Sequence, residues 1–98
     1  MAKPTRETLA GITAIVFDFD GVFTDNKVVV AQNGDEFVVC DRGDGMGITL
    51  LQKIGIHMMI LSKEKNPVVS ARGSKLGLEV IQGCDDKLPT LRSWLERK

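Results

Sequence analysis

Runs of apolar residues separated by polar segments predict a set of strands along the chain. Residues 12–17 form a nearly continuous β-prone run, which is typical of a strand covered on both faces in a parallel sheet. Residues 56–61 and 78–81 repeat this pattern and predict two further buried strands. Each run is followed by polar residues, so the carboxyl ends of three strands carry candidate functional groups.

The segments between these strands show helical periodicity. Apolar residues recur at helical spacing over 44–54 (Met46, Leu50, Leu51 and Ile54), and Gly55 stands where a left-handed cap would close the helix. Asn66 and Pro67 form an N-cap and first-turn pair that opens a second helix, running to Gly77.

Two short β-prone runs follow the first strand. They cover 27–31 and 36–40 and flank residues 32–35, in which the Asn33-Gly34 pair is a strong hairpin signal. The pattern predicts a β-hairpin inserted after the first strand.

A last helix begins near Asp86 and tolerates Pro89 in its first turn. It places Leu88, Leu91 and Leu95 on one face. The order strand, hairpin, helix, strand, helix, strand, helix predicts the α/β class, with a partial, Rossmann-like, doubly wound parallel sheet and a hairpin inserted after strand 1.

Length and composition indicate one domain. The chain has 98 residues, of which 43% are apolar, enough for a single core. Residues 1–11 are polar and end in a glycine, so we expect a lead-in or linker there and a domain over 12–98. Cys40 and Cys84 have no metal-ligand spacing and are expected to be reduced thiols.

The charge balance and the hydropathy of the chain argue against nucleic acid and membranes as partners. Thirteen basic and thirteen acidic residues cancel, so the overall charge draws the chain neither to nucleic acid nor to an anionic membrane. The longest apolar runs fall well short of the roughly 20 residues that span a bilayer, and the first ten residues have no apolar signal-peptide core. We therefore expect a cytoplasmic protein.

The first strand is followed by two carboxylates, Asp18 and Asp20, with Gly21 supplying the freedom to turn. Paired carboxylates repel one another unless a cation or a shared proton separates them, and Mg²⁺ suits one or two carboxylates together with phosphate oxygens. Asp18 could then attack phosphorus to give an aspartyl-phosphate. Asp20 would protonate the leaving alkoxide and later deprotonate the hydrolytic water.

Two other strands end near groups that suit phosphate. Ser62 follows the second buried strand and Lys87 opens the helix after the third, and parallel strands bring such residues to one edge. Their hydroxyl and ammonium groups would stabilise phosphoryl oxygens. An isolated pair of aspartates is more often a solvated turn, but this context favours a site. A calcium loop is excluded because Phe23 and Val29 stand where it requires Gly and Glu.

The glycine-rich segment 43–47 is superficially similar to a dinucleotide fingerprint. Its third glycine should fall at Ile48, and the preceding strand belongs to a hairpin, so this interpretation fails. Arg42 and the backbone amides of this loop could hold an anionic part of a substrate. A purely structural turn is an equal alternative. His57 has no acidic or nucleophilic partner nearby in sequence and is expected to be structural.

Three segments carry a family resemblance. Residues 15–25 (IVFDFDGVFTD), 42–48 (RGDGMGI) and 82–88 (QGCDDKL) resemble the small cap-less phosphatases of the haloacid dehalogenase (HAD) superfamily. These include 3-deoxy-D-manno-octulosonate 8-phosphate phosphatases, sialic acid 9-phosphate phosphatases and the phosphatase-like C-terminal domain of some CMP-sialic acid synthetases. The resemblance covers about residues 12–97.

The resemblance implies a role for each motif residue. Asp18 would be the nucleophile and a Mg²⁺ ligand, Asp20 the general acid/base and a Mg²⁺ ligand through its backbone carbonyl, Ser62 the second-motif hydroxyl and Lys87 the third-motif lysine. Octulosonate enzymes usually carry Thr-Gly-Arg as the second motif, whereas this chain has Ser-Lys-Glu-Lys over 62–65. The pair Glu64 and Lys65 is more similar to the sialic-acid branch, which implies substrate contacts for both residues and for Arg42.

The resemblance also implies an incomplete domain and an assembly. Family members continue beyond the equivalent of Lys98 into a strand whose carboxylate completes the magnesium site, so we expect 12–98 to be the N-terminal part of a phosphatase domain with little activity alone. Family members form homotetramers through the hairpin, here 27–40. An alternative function is a non-catalytic oligomerisation or regulatory C-terminal domain of a CMP-sialic acid synthetase, that is, an N-acylneuraminate cytidylyltransferase.

Overall fold

The computed structural model describes residues 5, 6 and 10–98 of the chain. The expected lead-in over 1–11 includes 1–4 and 7–9, which lie outside the described residues, so that boundary stays a prediction. The elements, in chain order, are β1 (Ala14–Phe17), β2 (Val29–Val30), β3 (Glu36–Phe37), α1 (Gly43–Lys53), β4 (His57–Leu61), α2 (Val68–Leu76), β5 (Glu79–Ile81) and α3 (Lys87–Glu96). Within these described residues, no helix is long and apolar enough to span a membrane.

The main sheet is parallel and has the order β1, β4, β5. In its register Phe17 pairs with Ile60, and Leu61 pairs with Ile81. The central strand β4 is the most buried, because four of its five residues are covered. A continuous apolar run predicts this double-sided burial, and the α/β fold expected from the sequence is confirmed.

Alternate residues of β4 face two different layers. Met58 and Ile60 pack in a cluster with residues of α1 and α2, such as Ile48 and Val69. Met59 and Leu61 pack instead with Trp94 of α3. Helices therefore cover both faces of the sheet, as in a doubly wound fold.

The predicted cap at Gly55 has the expected backbone, and Gly77 at the end of the second helix shares it. Gly55 and Gly77 have φ values of 84° and 70°, in the left-handed region where a side chain would be strained. At the start of α2, the Asn66 Oδ1 atom accepts a hydrogen bond from the Val68 N–H at 3.0 Å. These local signals set the helix ends within one or two residues of their predicted positions.

The apolar stripe that predicts α1 is not a buried face. Met46, Leu50 and Ile54 are 73%, 59% and 73% exposed, whereas Ile48 is buried and Leu51 is half-buried. The periodicity correctly predicts a helix, but it does not identify the side that packs on the sheet.

The predicted leucine face of α3 needs a similar correction. Leu88 and Leu95 are exposed, and Leu91 is half-buried. The side chain that anchors this helix is Trp94, which is fully buried and donates its indole N–H to Glu79 Oε2 at 2.6 Å. The leucine pattern did not single out this residue.

The inserted hairpin is present and shorter than predicted. β2 and β3 form a separate two-stranded antiparallel sheet in which Val29 pairs with Phe37. Gly34 has a φ of 93°, and the Asn33 side chain caps the turn by accepting the Asp35 N–H at 3.0 Å. An isolated bridge between Thr24 and Cys40 closes the base of the hairpin.

Candidate active site

The three parallel strands end at one edge of the sheet. β1 ends at Phe17, β4 at Leu61 and β5 at Ile81. Because neighbouring strands are in register there, the loops that begin at residues 18, 62 and 82 emerge side by side. This is the edge where open α/β sheets hold their ligands.

Asp18 and Lys87 meet at this edge although they are far apart in the chain. Lys87 Nζ lies 3.7 Å from Asp18 Oδ1. The same oxygen accepts the Phe19 N–H at 2.8 Å. An ion pair this exposed adds little stability, so its significance is the placement of a cation beside a carboxylate that faces solvent.

The turn after Asp18 is built to present Asp20. Phe19 and Phe23, which flank Asp20 in the sequence, are both buried. The Phe23 N–H donates a hydrogen bond to Phe19 O at 2.9 Å. Thr24 Oγ1 accepts the N–H groups of Gly21 and Asn26 at 3.2 and 3.1 Å. Gly21 has a φ of 78°, so a side chain at this position would strain the turn.

Asp20 lies in an acidic environment. Burial raises the pKa of its carboxyl above the ordinary value, and the negative charges of Glu64 and Asp18 raise it further. Carboxylates from the first and second loops therefore share one region of the edge. A bound cation would relieve their repulsion.

The loop after β4 turns back on itself around two side chains. Ser62 is buried, and its Oγ accepts the Glu64 N–H at 3.0 Å, so its own hydroxyl hydrogen is a donor. Glu64 Oε1 accepts the N–H groups of Lys65 and Asn66, each at 2.9 Å. These bonds fix the local shape of the loop that carries the second predicted motif.

A cavity of about 190 Å³ opens between this loop, the first loop and the hairpin. Asp20 and Glu64 both line it, and Lys27 brings a cation to it from the start of the hairpin. The remaining lining residues are Asn26, Val28, Glu36, Val38, Asn66 and Val68. The sequence did not single out Lys27 or Glu36, because nothing in a hairpin pattern tells which polar residues face a neighbouring loop.

The predicted substrate contacts divide into two groups. Glu64 lies at the cavity with Asp20, whereas Arg42 and Lys65 are exposed and are not among its lining residues. Arg42 precedes the first residue of α1, without a side-chain capping bond. The predicted contact of Arg42 with substrate therefore stays a prediction.

Known proteins of similar sequence and fold include a phosphatase and a proposed hydrolase. No family model matches the chain. The chain is 30% identical, over 88% of its length and 46% of the relative's, to the 3-deoxy-D-manno-octulosonate 8-phosphate phosphatase of Salmonella typhi. The structure of a proposed HAD family hydrolase from Streptomyces avermitilis matches with a TM-score of 0.86 and 49% identity, covering 98% of this chain and 53% of that one.

A further match comes from an enzyme with its ligands. The structure of the Moraxella catarrhalis 3-deoxy-D-manno-octulosonate 8-phosphate phosphatase, in complex with magnesium, phosphate and KDO, matches with a TM-score of 0.80 and 30% identity over 88% of this chain and 50% of that one. The described fold corresponds to about half of each of these two structures. The chain spans about half the length of the curated relatives that it matches.

The donor set at this edge of the sheet suits Mg²⁺. Among the residues that the structure describes, no group of three or more His, Cys, Asp and Glu side chains is arranged to hold a metal ion. Magnesium requires less, since one or two protein carboxylates with water and phosphate oxygens suffice. Asp18 would supply one carboxylate and Asp20 a backbone carbonyl. Burial, and then the charges of Glu64 and Asp18, raise the pKa of the Asp20 carboxyl, and a divalent cation would offset the repulsion between these charges.

Proposed function

We propose that this chain carries the nucleophile and phosphate-binding groups of a Mg²⁺-dependent phosphomonoesterase that acts on an acidic sugar phosphate. The observation that carries the proposal is the convergence of Asp18 and Lys87, whose charged atoms lie 3.7 Å apart at the carboxyl edge of the sheet. This arrangement supports nucleophile chemistry because a phosphoryl group that reaches Asp18 also meets a fixed positive charge.

The reaction has two steps. A carboxylate oxygen of Asp18 attacks phosphorus, the bond from phosphorus to the sugar oxygen breaks, and Asp20 gives its proton to the leaving oxygen. Asp20 then takes a proton from water, whose oxygen attacks phosphorus and releases Asp18 from the aspartyl-phosphate. The environment that raises the pKa of Asp20 favours a protonated carboxyl in the first step.

Two other residues would manage the phosphoryl charge. Lys87 neutralises part of the negative charge that spreads over the phosphoryl oxygens, and the Ser62 hydroxyl donates a hydrogen bond to one of them. Bound Mg²⁺, held by Asp18 and by Asp20 through its backbone carbonyl, would supply further charge neutralisation and orient the phosphate.

The substrate class follows from the relatives and from the second motif. The curated relatives act on 3-deoxy-D-manno-octulosonate 8-phosphate, and the Glu64-Lys65 pair favours a sialic acid 9-phosphate instead. Arg42 and Lys65 would meet the negative charge of such a sugar, whereas Glu64 would accept hydrogen bonds from its hydroxyl groups.

Phosphate release from both sugar phosphates, with Mg²⁺ and with excess EDTA, tests the proposal in a protein extended beyond Lys98 to the length of the curated relatives. We expect activity with Mg²⁺ only, and Asp18→Asn should lower kcat by roughly 10³-fold or more. Asp35→Asn in the hairpin turn is the matched control and should retain activity. Full activity of Asp18→Asn, or none in the unsubstituted protein with either sugar, would contradict the proposal.

A second candidate function is assembly. Val29, Phe37 and Val39 of the hairpin are 62%, 57% and 67% exposed, while Val38 packs against the core. A hairpin that leaves this much apolar surface uncovered favours contact with another subunit, which supports a homotetramer through 27–40. The same surface would serve a non-catalytic domain of a CMP-sialic acid synthetase, and a sedimentation measurement that shows only monomer would count against both.

A further inference from the structure

The side chain of Gln82 joins two parts of the candidate site. Gln82 follows β5 directly and is half-buried. Its Nε2 donates to the backbone carbonyls of Glu64 and Asn66, each at 3.1 Å. Its Oε1 accepts the hydroxyl of Ser70 on α2. Because both ends of the amide are engaged, its orientation is defined.

These bonds position the loop after β4 relative to β5. The bonds of the Glu64 and Asn66 side chains are local and set only the internal shape of the loop. The connection to β5 comes from Gln82 and its neighbours, since the Gly83 N–H donates to Glu64 O at 3.1 Å and the Cys84 N–H donates to Ser62 O at 3.0 Å. The Glu64 carbonyl therefore has two donors, one of them the Gln82 amide.

The position of Glu64 determines part of the cavity. Glu64 lines it together with Asp20, and Asn66 lines it as well. Both residues whose carbonyls Gln82 holds thus contribute their own surface to the space where a sugar would lie. A shift of this loop would alter the cavity while the bond between Asp18 and the Phe19 amide, on another loop, stays in place.

We propose that Gln82 is a positioning residue for sugar recognition, which acts through the Glu64 loop without touching the substrate. The expected effect on sugar-phosphate kinetics rests on the proposed phosphatase function. The expected effect on the position of the loop rests on the hydrogen bonds alone. Gln82→Glu is the informative substitution, because it keeps the size and one acceptor oxygen but places an oxygen where the Nε2 donor faces two carbonyls.

The chain offers a matched control. Gln52 on α1 also donates its Nε2 to a backbone carbonyl, that of Gly77 at 3.3 Å, but this bond lies at the end of α2 away from the cavity. Gln52→Glu therefore makes the same chemical change in the same kind of bond. It should leave sugar-phosphate kinetics unchanged.

The kinetic test compares two kinds of substrate: sugar phosphates, whose sugar would reach Glu64, and a phosphate ester without a sugar. With 3-deoxy-D-manno-octulosonate 8-phosphate or sialic acid 9-phosphate, Gln82→Glu should raise KM by about tenfold, as expected for the loss of one or two hydrogen bonds. With p-nitrophenyl phosphate, which has no sugar to reach Glu64, KM and kcat should stay within about twofold. An equal loss with both substrates would overturn the proposal.

Amide hydrogen exchange separates this inference from the proposed function. In Gln82→Glu the amides of Gly83 and Cys84, which donate to the Glu64 and Ser62 carbonyls, should exchange at least tenfold faster. The amides of Met59 and Ile60 in β4 should keep their protection. Unchanged exchange at Gly83 and Cys84 would overturn the positioning role whatever the kinetics show. If the unsubstituted protein hydrolyses none of the three phosphates, the phosphatase proposal fails, and exchange still decides whether Gln82 positions the loop.

Discussion

The carboxyl edge of the parallel sheet and the inserted hairpin differ in what holds them. At the sheet edge, side chains and backbone groups from three loops bond to one another, and the strands beneath are packed on both faces. The hairpin has two short strands, both exposed, and its second segment packs against the core through Val38 and Cys40. The first region is organised within the chain, whereas the second presents apolar surface outward.

This difference indicates a division of labour. A catalytic site requires side chains fixed to within fractions of an ångström, and a sheet with interlocked loops provides that rigidity. An association surface requires exposed apolar area, which a protein gains only by leaving residues such as Val29 and Phe37 uncovered. Substitutions in the packed region should therefore alter stability, whereas substitutions in the hairpin should alter association.

The packed region is most sensitive at Gly73 in α2. A Cβ added there would lie 2.2 Å from Val80 Cγ2 of β5, and the short, stiff valine cannot easily move away. Gly73→Ala gains about 1 kcal/mol of helix propensity but suffers about 1–3 kcal/mol of overpacking, so we expect a net loss of up to about 2 kcal/mol in the free energy of unfolding. Urea denaturation measures it.

A double substitution tests the cause of that loss. Gly73→Ala combined with Val80→Ala should cost less than the sum of the two single changes, because the second removes the methyl group that clashes. Gly34→Ala is the counterpart in the hairpin, where a Cβ meets nothing within 4 Å and only the positive φ is unfavourable. Additive effects at positions 73 and 80 would show that packing is not the cause.

The exposed region should respond in association and not in folding. If the hairpin joins subunits, Phe37→Ser should shift the sedimentation profile towards monomer. The urea midpoint of the monomer should change little, because exposed substitutions usually alter stability by less than about 0.5 kcal/mol. Leu95→Ser on α3, also at an exposed apolar residue, is the control and should leave assembly intact. A tetramer that persists in Phe37→Ser would place the interface elsewhere.

The sequence was most informative about the region that packs. Strands covered on both faces leave continuous apolar runs, and parallel strands bring their following residues together, so the meeting of Asp18 with Lys87 could be anticipated from topology alone. The left-handed cap at Gly55 was equally predictable because a positive φ favours glycine.

Two kinds of feature could not be predicted from the pattern. Helical periodicity identifies α1 and α3 but not which side meets the sheet, which is why Met46 is exposed and Trp94 is central. The indole of Trp94 also needs a hydrogen-bond partner, Glu79, that only the fold reveals. Long-range side-chain bonds such as those of Gln82 have no period at all, so they appear only in the structure.

The smallest expected effect concerns the electrostatic strain at the sheet edge. Because burial, Glu64 and Asp18 raise the pKa of Asp20 in the folded protein, its charged form is less favourable there than in the unfolded chain. With EDTA present, Asp20→Asn should therefore be slightly more stable than the unsubstituted protein at neutral pH. The difference should be fully present above the raised pKa and should vanish below the ordinary value of about 3.9, where Asp20 is protonated in both states.

The pH dependence of this stability difference distinguishes electrostatic strain from a change in packing. Urea midpoints of the two proteins between about pH 3.5 and 7 should diverge as pH rises. Glu96→Gln, which changes an exposed carboxylate at the opposite end of α3 from Lys87, should show no such divergence. A constant offset at every pH would mean that Asp20→Asn acts through the turn after β1, and the sheet edge would then be as relaxed as the hairpin.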